Sequence, residues 1–215
     1  MIIGLIGQKR VGKDTVAGML KNIDIDTNFT CMALADPIKD IARLIFNFTE
    51  AQLYDDEKDI IDSRWGIKPR DFFEQFGTNI MQFDIYRYLP SLEKQVAKRL
   101  FWVHSLLSKI KDSNDTNNTN NTNEKNIIIT DIRGLHELLE INKFAEGKAI
   151  FIRIIKEQLK DKEINKDTNI NLHITQTEPN EIPNEYIFDT IVNNGSLKDL
   201  QLKVEKVYNK IINYN

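Results

Sequence analysis

Residues 1–15 read MIIGLIGQKRVGKDT. The apolar run from Ile2 to Ile6 predicts a short buried strand. Gly7 follows it, then Gln8, Lys9, Arg10 and Val11, then Gly12 and Lys13. Strand, glycine-flanked loop and helix start, in that order, aim successive backbone N–H groups at one point. The helix adds its positive end, and the lysine adds an ammonium that can reach the β and γ oxygens of a nucleotide. ATP or GTP is therefore the expected ligand. The expected cradle consists of Gly7, Lys9, Arg10, Val11, Gly12, Lys13, Asp14 and Thr15.

The usual loop of this kind carries Ser or Thr directly after the lysine, where the hydroxyl meets Mg²⁺. Here Asp14 takes that place and the hydroxyl comes one residue later, at Thr15. Mg²⁺ gives up its water reluctantly, so Asp14 and Thr15 are read as holding the ion through water. The competing reading makes Asp14 a carboxylate that caps the first helical turn. Both readings stand on the sequence alone.

A chain of 215 residues with 41% hydrophobic content suits one α/β domain with a real core. A net charge of −3 supplies no overall basic field, so no stable nucleic-acid binding and no membrane partner are expected. No stretch approaches a membrane span, and the opening segment is too short for a secretion signal. The single cysteine, Cys31, lies in FTCMALA, is read as a small buried hydrophobe, and excludes an internal disulfide. A cytoplasmic, reducing compartment is the expectation that follows.

Working outward from the loop, residues 29–34 predict a second strand, with Asp36 as cap and Pro37 as first residue of a helix whose apolar face is Ile38, Ile41, Ala42 and Ile45. Thr49 and Gln52 have capping-box spacing. Pro69 opens a helix with Phe72, Phe73 and Phe76 as its stripe, and residues 92–110 predict one long helix carrying Val96, Leu100, Val103 and Leu107. Residues 112–125, DSNDTNNTNNTNEK, have nothing apolar to bury and are read as a disordered insertion. Strands are predicted at residues 126–131, 149–155 and 187–192. A helix runs from Gly134 to Phe144 and ends at Gly147, and a last one, capped by Ser196 and Asp199, buries Leu200, Val204, Val207 and Ile211. Five strands separated by helices predict a parallel sheet flanked by helices, with ligands beyond the carboxyl ends of the strands.

Phosphoryl transfer is mostly positioning and charge neutralisation. Asp131 ends the strand NIIITD and suits an acid that orients metal-bound water or the accepting oxygen; its plainer reading is a cap for the next helix. Arg133 follows on the same edge. Arg64, Lys68 and Arg70 in SRWGIKPR form a cationic cluster read as phosphate capture, against a merely exposed basic turn. Arg99, in KRLFWV, points either to substrate or to a surface ion pair. His173 has no partner at metal spacing.

Taken in order, GQKRVGKDT, LADPIKD, PRDFFEQFGT, KRLFWV, TDIRGLHE, HIT and DTIVNNGSLKDL resemble the viral and phage deoxynucleoside monophosphate kinases nearly from end to end. The resemblance implies a single P-loop kinase domain over residues 1–215, of the nucleoside monophosphate kinase type, with a helical acceptor-binding region at about 36–111. It implies transfer of the ATP γ-phosphoryl group to a deoxynucleoside 5′-monophosphate with Mg²⁺. It places Gly7, Gly12, Lys13, Asp14 and Thr15 on ATP and Lys39, Arg70, Arg99, Asp131 and Arg133 around the acceptor. The word His173-Ile174-Thr175-Gln176 departs from the family pattern, and residues 156–183 are read as a lid.

Three other readings compete. An animal-type phosphomevalonate kinase has a similar loop and a similar Asp-x-Arg. A regulatory GTPase would use Asp131-Ile132-Arg133-Gly134 as a switch, but Asn142-Lys143 is followed by Phe144-Ala145 and lacks the guanine-reading acid. A nucleic-acid end kinase would need a basic groove or an aromatic platform, which the sequence does not display. Base preference and oligomeric state, a homodimer included, stay open.

Overall fold

The computed structural model describes residues 1–23, 27–115, 126–156 and 178–214. It divides into two compact units, one formed by Met1–Met32 with Asp112–Asn215 and the other by Ala33–Lys111.

The first unit is built on a five-stranded, all-parallel sheet. Its strands are β1 Ile2–Ile6, β2 Thr30–Met32, β3 Ile127–Ile132, β4 Ile150–Ile155 and β5 Asp189–Val192, in the order β2-β3-β1-β4-β5. Every residue of β1 is buried, as a central strand covered on both faces requires. Alternation along β1 sends Ile3 and Leu5 into one core with Val16, Ala17 and Leu20 of α1 (Lys13–Ile23) and with Leu200, Val204, Val207 and Ile211 of the C-terminal helix Leu197–Tyr214. Between β3 and β4 the chain forms a helix at Leu135–Phe144, whose Leu138 and Ile141 are fully buried. The C-terminal helix starts as the sequence predicts. Ser196 Oγ accepts from Asp199 N at 3.2 Å, and the Asp199 carboxylate accepts from Ser196 N at 3.0 Å.

From β1 the chain crosses past β3 to the edge strand β2, and from β3 it crosses back past β1 to β4, so the direction of the connections reverses between β1 and β3. In such sheets the crevice beyond the carboxyl ends at the reversal is where ligands bind. The loop Gly7 to Gly12 leaves that end of β1; β3 runs one residue past the expected end at Asp131, so Asp131 is its penultimate residue and Arg133 the first beyond it.

The second unit is helical: α2 Asp36–Phe46, α3 Glu50–Tyr54, a 3₁₀ turn Asp56–Asp59, α4 Pro69–Glu74, a π-helical run Gln75–Asp84, α5 Ile85–Tyr88, a 3₁₀ turn Pro90–Lys94 and, up to Lys111, most of α6 Phe101–Asp115. The helices Leu135–Phe144 and Leu197–Tyr214 are thus α7 and α8. The Thr49–Gln52 capping box forms with both bonds, at 2.9 and 3.3 Å. The phenylalanine stripe packs as expected: Phe72 and Phe73 lie against Ala42, Phe48 and Leu53, and Phe72 meets Phe46 edge-on and stacks on Phe76.

Several expectations need correction. The long helix over residues 92–110 is broken. Arg99 takes a left-handed φ of +71° and its N–H donates to Gln82 O at 3.2 Å, so regular helix begins only at Phe101. Val96 and Leu100 continue the apolar rhythm outside the helix because periodicity reports burial and not winding. Asp36 is the first helical residue and not the cap, and its carboxylate accepts from Ala33 N at 2.8 Å. Ile45 is exposed. Cys31 is exposed as well, because β2 is a three-residue strand at the sheet edge. Residues 112–115 of the expected insertion belong to the end of α6. The rest of that insertion, residues 116–125, and most of the expected lid, residues 157–177 with His173, lie outside the described residues. Among the described residues no helix is long and apolar enough to cross a membrane.

Candidate phosphate-binding site

The loop after β1 is anchored from inside. Val11 is buried in the core beneath α1, while Lys9 and Arg10, in the turn just before it, are exposed. Gly7 is needed for space, since a Cβ there would stand 2.4 Å from the main-chain oxygen of Ile154. Gly12 is needed for conformation, with φ +97°. Arg10 holds φ +65°, a strained value for a residue with a side chain, and such strain concentrates at functional loops. Gly12 O accepts from Val16 N at 3.0 Å, which closes the first turn of α1 and leaves the N–H groups of that turn facing the loop.

Lys13 is folded into this loop. Its Nζ donates to the carbonyls of Gly7 at 2.8 Å and Gln8 at 2.7 Å. Burial, followed by the guanidinium of Arg133, pulls the Lys13 ammonium down to about 8, against Asp14 and Asp131, which hold it up. Lys13, Asp14, Asp131 and Arg133 therefore share one electrostatic neighbourhood. Asp14 and Thr15 are exposed at the start of α1, and Asp131 is half-buried. Among the described residues no group of three His, Cys, Asp or Glu side chains is placed to hold a metal ion. The carboxylates and hydroxyl present fit a Mg²⁺ that keeps most of its water and takes phosphate oxygens as ligands.

Two residues of this unit escaped the sequence reading. Asn193, just past β5, donates its side-chain amide to Val11 O at 2.9 Å, and its own N–H donates to Ile155 O at 2.8 Å. Its position in the NNGS turn was the available signal. The second is Glu137, in the first turn of α7. It is buried, and its Oε2 accepts the N–H of Arg133 at 2.7 Å and of Gly134 at 3.1 Å. A glutamate three residues after a candidate helix start is the signal that finds it.

In the helical unit the expected acceptor residues take different places. Arg64 is committed locally. Its Nη2 reaches Asp62 at 2.7 Å and Asn47 O at 3.2 Å, and its main-chain N also donates to Asp62 at 2.8 Å. These bonds, with one from Gln52, hold the Asp62 carboxyl well below the usual carboxylate range. Arg64 therefore fits a structural tie. Lys68 is exposed at the start of α4. Arg70 pairs with Asp59 through both its Nε and its Nη2, the latter at 2.8 Å. Lys39 lies over the ring of Tyr54, 4.0 Å from its centroid. A third cation joins these two: Lys58 donates to Tyr54 O at 2.9 Å. Burial, then Arg70, and less strongly Lys39, draw its ammonium below the ordinary lysine value, with Asp59 and Asp56 opposing. Lys39, Lys58 and Arg70 thus lie in one neighbourhood, whereas Arg99 is held by the left-handed turn before α6.

No protein-family model and no curated protein matches the chain.

Proposed function

We propose that the protein is an ATP-dependent kinase of the P-loop type, akin to nucleoside monophosphate kinases, that phosphorylates deoxynucleoside 5′-monophosphates to diphosphates. The observation that carries the reading is Lys13 seated in a glycine-flanked loop beyond β1, sharing its electrostatic surroundings with Asp131, the penultimate residue of β3, and Arg133 just past that strand. In this reading the loop N–H groups and Lys13 hold the β- and γ-phosphates of ATP, and Lys13 follows the charge that develops on the transferring group. Arg133 clamps phosphate from the acceptor side, and Asp131 orients the accepting oxygen. Mg²⁺, when bound, would neutralise phosphate charge, with Asp14, Thr15 and Asp131 holding its water. In the helical unit, Lys39, Arg70 and Arg99 are assigned to the acceptor. The nested words shared with viral and phage kinases support the choice of a deoxynucleotide. They also support a role in nucleotide supply for DNA synthesis in the cytoplasm, that of a host cell if the source is viral.

The test is coupled ADP release with ATP and Mg²⁺ against all ribo- and deoxyribonucleoside monophosphates, with phosphomevalonate as the competing acceptor. Turnover on one or more deoxynucleotides is the expected result. Turnover on phosphomevalonate alone would replace this assignment, and hydrolysis of GTP without any acceptor would point to the GTPase reading. Lys13→Ala should lower turnover by several orders of magnitude while leaving the fold intact. Arg133→Ala should raise the acceptor KM far more than the ATP KM.

A further inference from the structure

Both peptide groups that adjoin the Cα of Arg133 are held by one oxygen. The N–H of Arg133 belongs to the peptide before that Cα and the N–H of Gly134 to the peptide after it. Both donate to Glu137 Oε2, at 2.7 and 3.1 Å. A helix needs only the second of these. Gly134 is the residue just before α7, and a glutamate at the third helical position commonly reaches back to that N–H. The bond to Arg133 lies one residue further out, beyond what capping requires. Fixing both planes fixes the direction in which the Arg133 side chain leaves the backbone, although that side chain itself is exposed.

Glu137 is also costly where it stands. Its carboxyl is buried, and a buried carboxyl that only capped the start of a helix would be more cheaply replaced by a side chain at the surface. The groups that face it electrostatically, Asp131 and Arg133, are the two residues assigned to the reacting end of β3. From these bonds and this placement we infer that Glu137 is a positioning residue that acts through Arg133, holding it at the angle needed to meet an acceptor phosphate. The inference rests on the kinase reading only for what Arg133 touches; the backbone restraint is independent of it.

A double-mutant cycle combined with amide hydrogen exchange tests this in the full chain. Glu137→Ala should speed exchange at Arg133 and Gly134, while Leu138, whose N–H donates to Gly134 O, stays protected. Assayed above pH 7, where the Glu137 carboxyl is ionised, it should also lower kcat/KM for the nucleoside monophosphate by about tenfold, the size of a lost charge-assisted bond, through the acceptor KM and not the ATP KM. In an Arg133→Ala background the same change should cost less than about twofold, because its target is gone. Equal losses in both backgrounds, or unchanged exchange at the two amides, overturn the inference. If Glu137→Ala does not fold, Glu137→Gln replaces it in the cycle. Its weaker acceptor oxygen should give a smaller loss, about threefold, that again vanishes without Arg133. If Arg133→Ala leaves the kinetics unchanged, the acceptor assignment of Arg133 falls, and the exchange result alone decides whether Glu137 fixes this backbone.

Discussion

Asn193 holds Val11 across 182 residues of sequence, its side-chain amide donating to the valine carbonyl at 2.9 Å. The turn after β5 therefore braces the phosphate loop after β1, although the two strands are not neighbours in the sheet. The contact is tight: a Cβ on Gly12 would come within 2.4 Å of the same amide nitrogen.

Removing the brace should loosen the loop more than the fold. Asn193→Ala is expected to raise the ATP KM about fivefold to tenfold, the worth of one hydrogen bond of roughly 1 kcal/mol, with a small drop in Tm. Asn193→Asp should be worse, since it sets a carboxylate oxygen against the Val11 carbonyl. An ATP KM unchanged in both variants would show that the loop holds its shape without this bond.

Gly7 is the position where the loop tolerates no side chain. In Gly7→Ala the new methyl meets the main-chain oxygen of Ile154, which cannot swing aside as a side chain would. A loss of about 1–3 kcal/mol in unfolding free energy is expected, together with strongly weakened ATP binding. Urea denaturation and nucleotide titration measure the two; a variant as stable as the parent would show that the loop and β4 can separate.

Arg64 separates a structural cation from a substrate-binding one. Its bonds to Asp62 and Asn47 predict that Arg64→Ala lowers Tm and leaves the acceptor KM within about twofold, since Asp62 loses its main partner while no phosphate contact is removed. A large rise in acceptor KM at unchanged Tm would return Arg64 to the phosphate-capture role.

Glu137 should make stability depend on pH. Burial pushes its carboxyl up to about 7, opposed by the N–H bonds of Arg133 and Gly134 and by the Arg133 charge, and reinforced by Asp131. The folded state then holds a proton that the unfolded chain has already released above its ordinary value near 4.5. Native protein binds more protons in this window, so unfolding free energy falls as pH rises from about 4.5 to about 7 and levels off above, by on the order of 3 kcal/mol. Glu137→Gln should remove that part of the slope. Parallel stability curves for parent and variant would rule out this source of pH dependence.

What the sequence determined by itself is local. The strand Ile2–Ile6, the loop to Lys13, the Thr49–Gln52 and Ser196–Asp199 caps and the buried face of α8 each arise within a few residues of chain. Hydrogen-bond closure and side-chain periodicity act over that same distance. The proximity of Asp131 and Arg133 to the loop was legible too, because a parallel sheet puts its strand ends on one edge. Only the tertiary structure decided the strand order and, with it, that Asn193 would reach Val11, that the short β2 would form an edge and expose Cys31, and that Arg99 would turn left-handed where the apolar rhythm promised helix. The same holds for which charges are spoken for. Arg64 and Arg70 look alike in SRWGIKPR, yet Asp62 takes the first into a local tie while Asp59 leaves the second beside Lys58 and Lys39. Such pairings depend on how the whole chain packs, since each cation settles on whichever carboxylate or carbonyl the fold brings within about 3 Å, and no local pattern of residues encodes that distance.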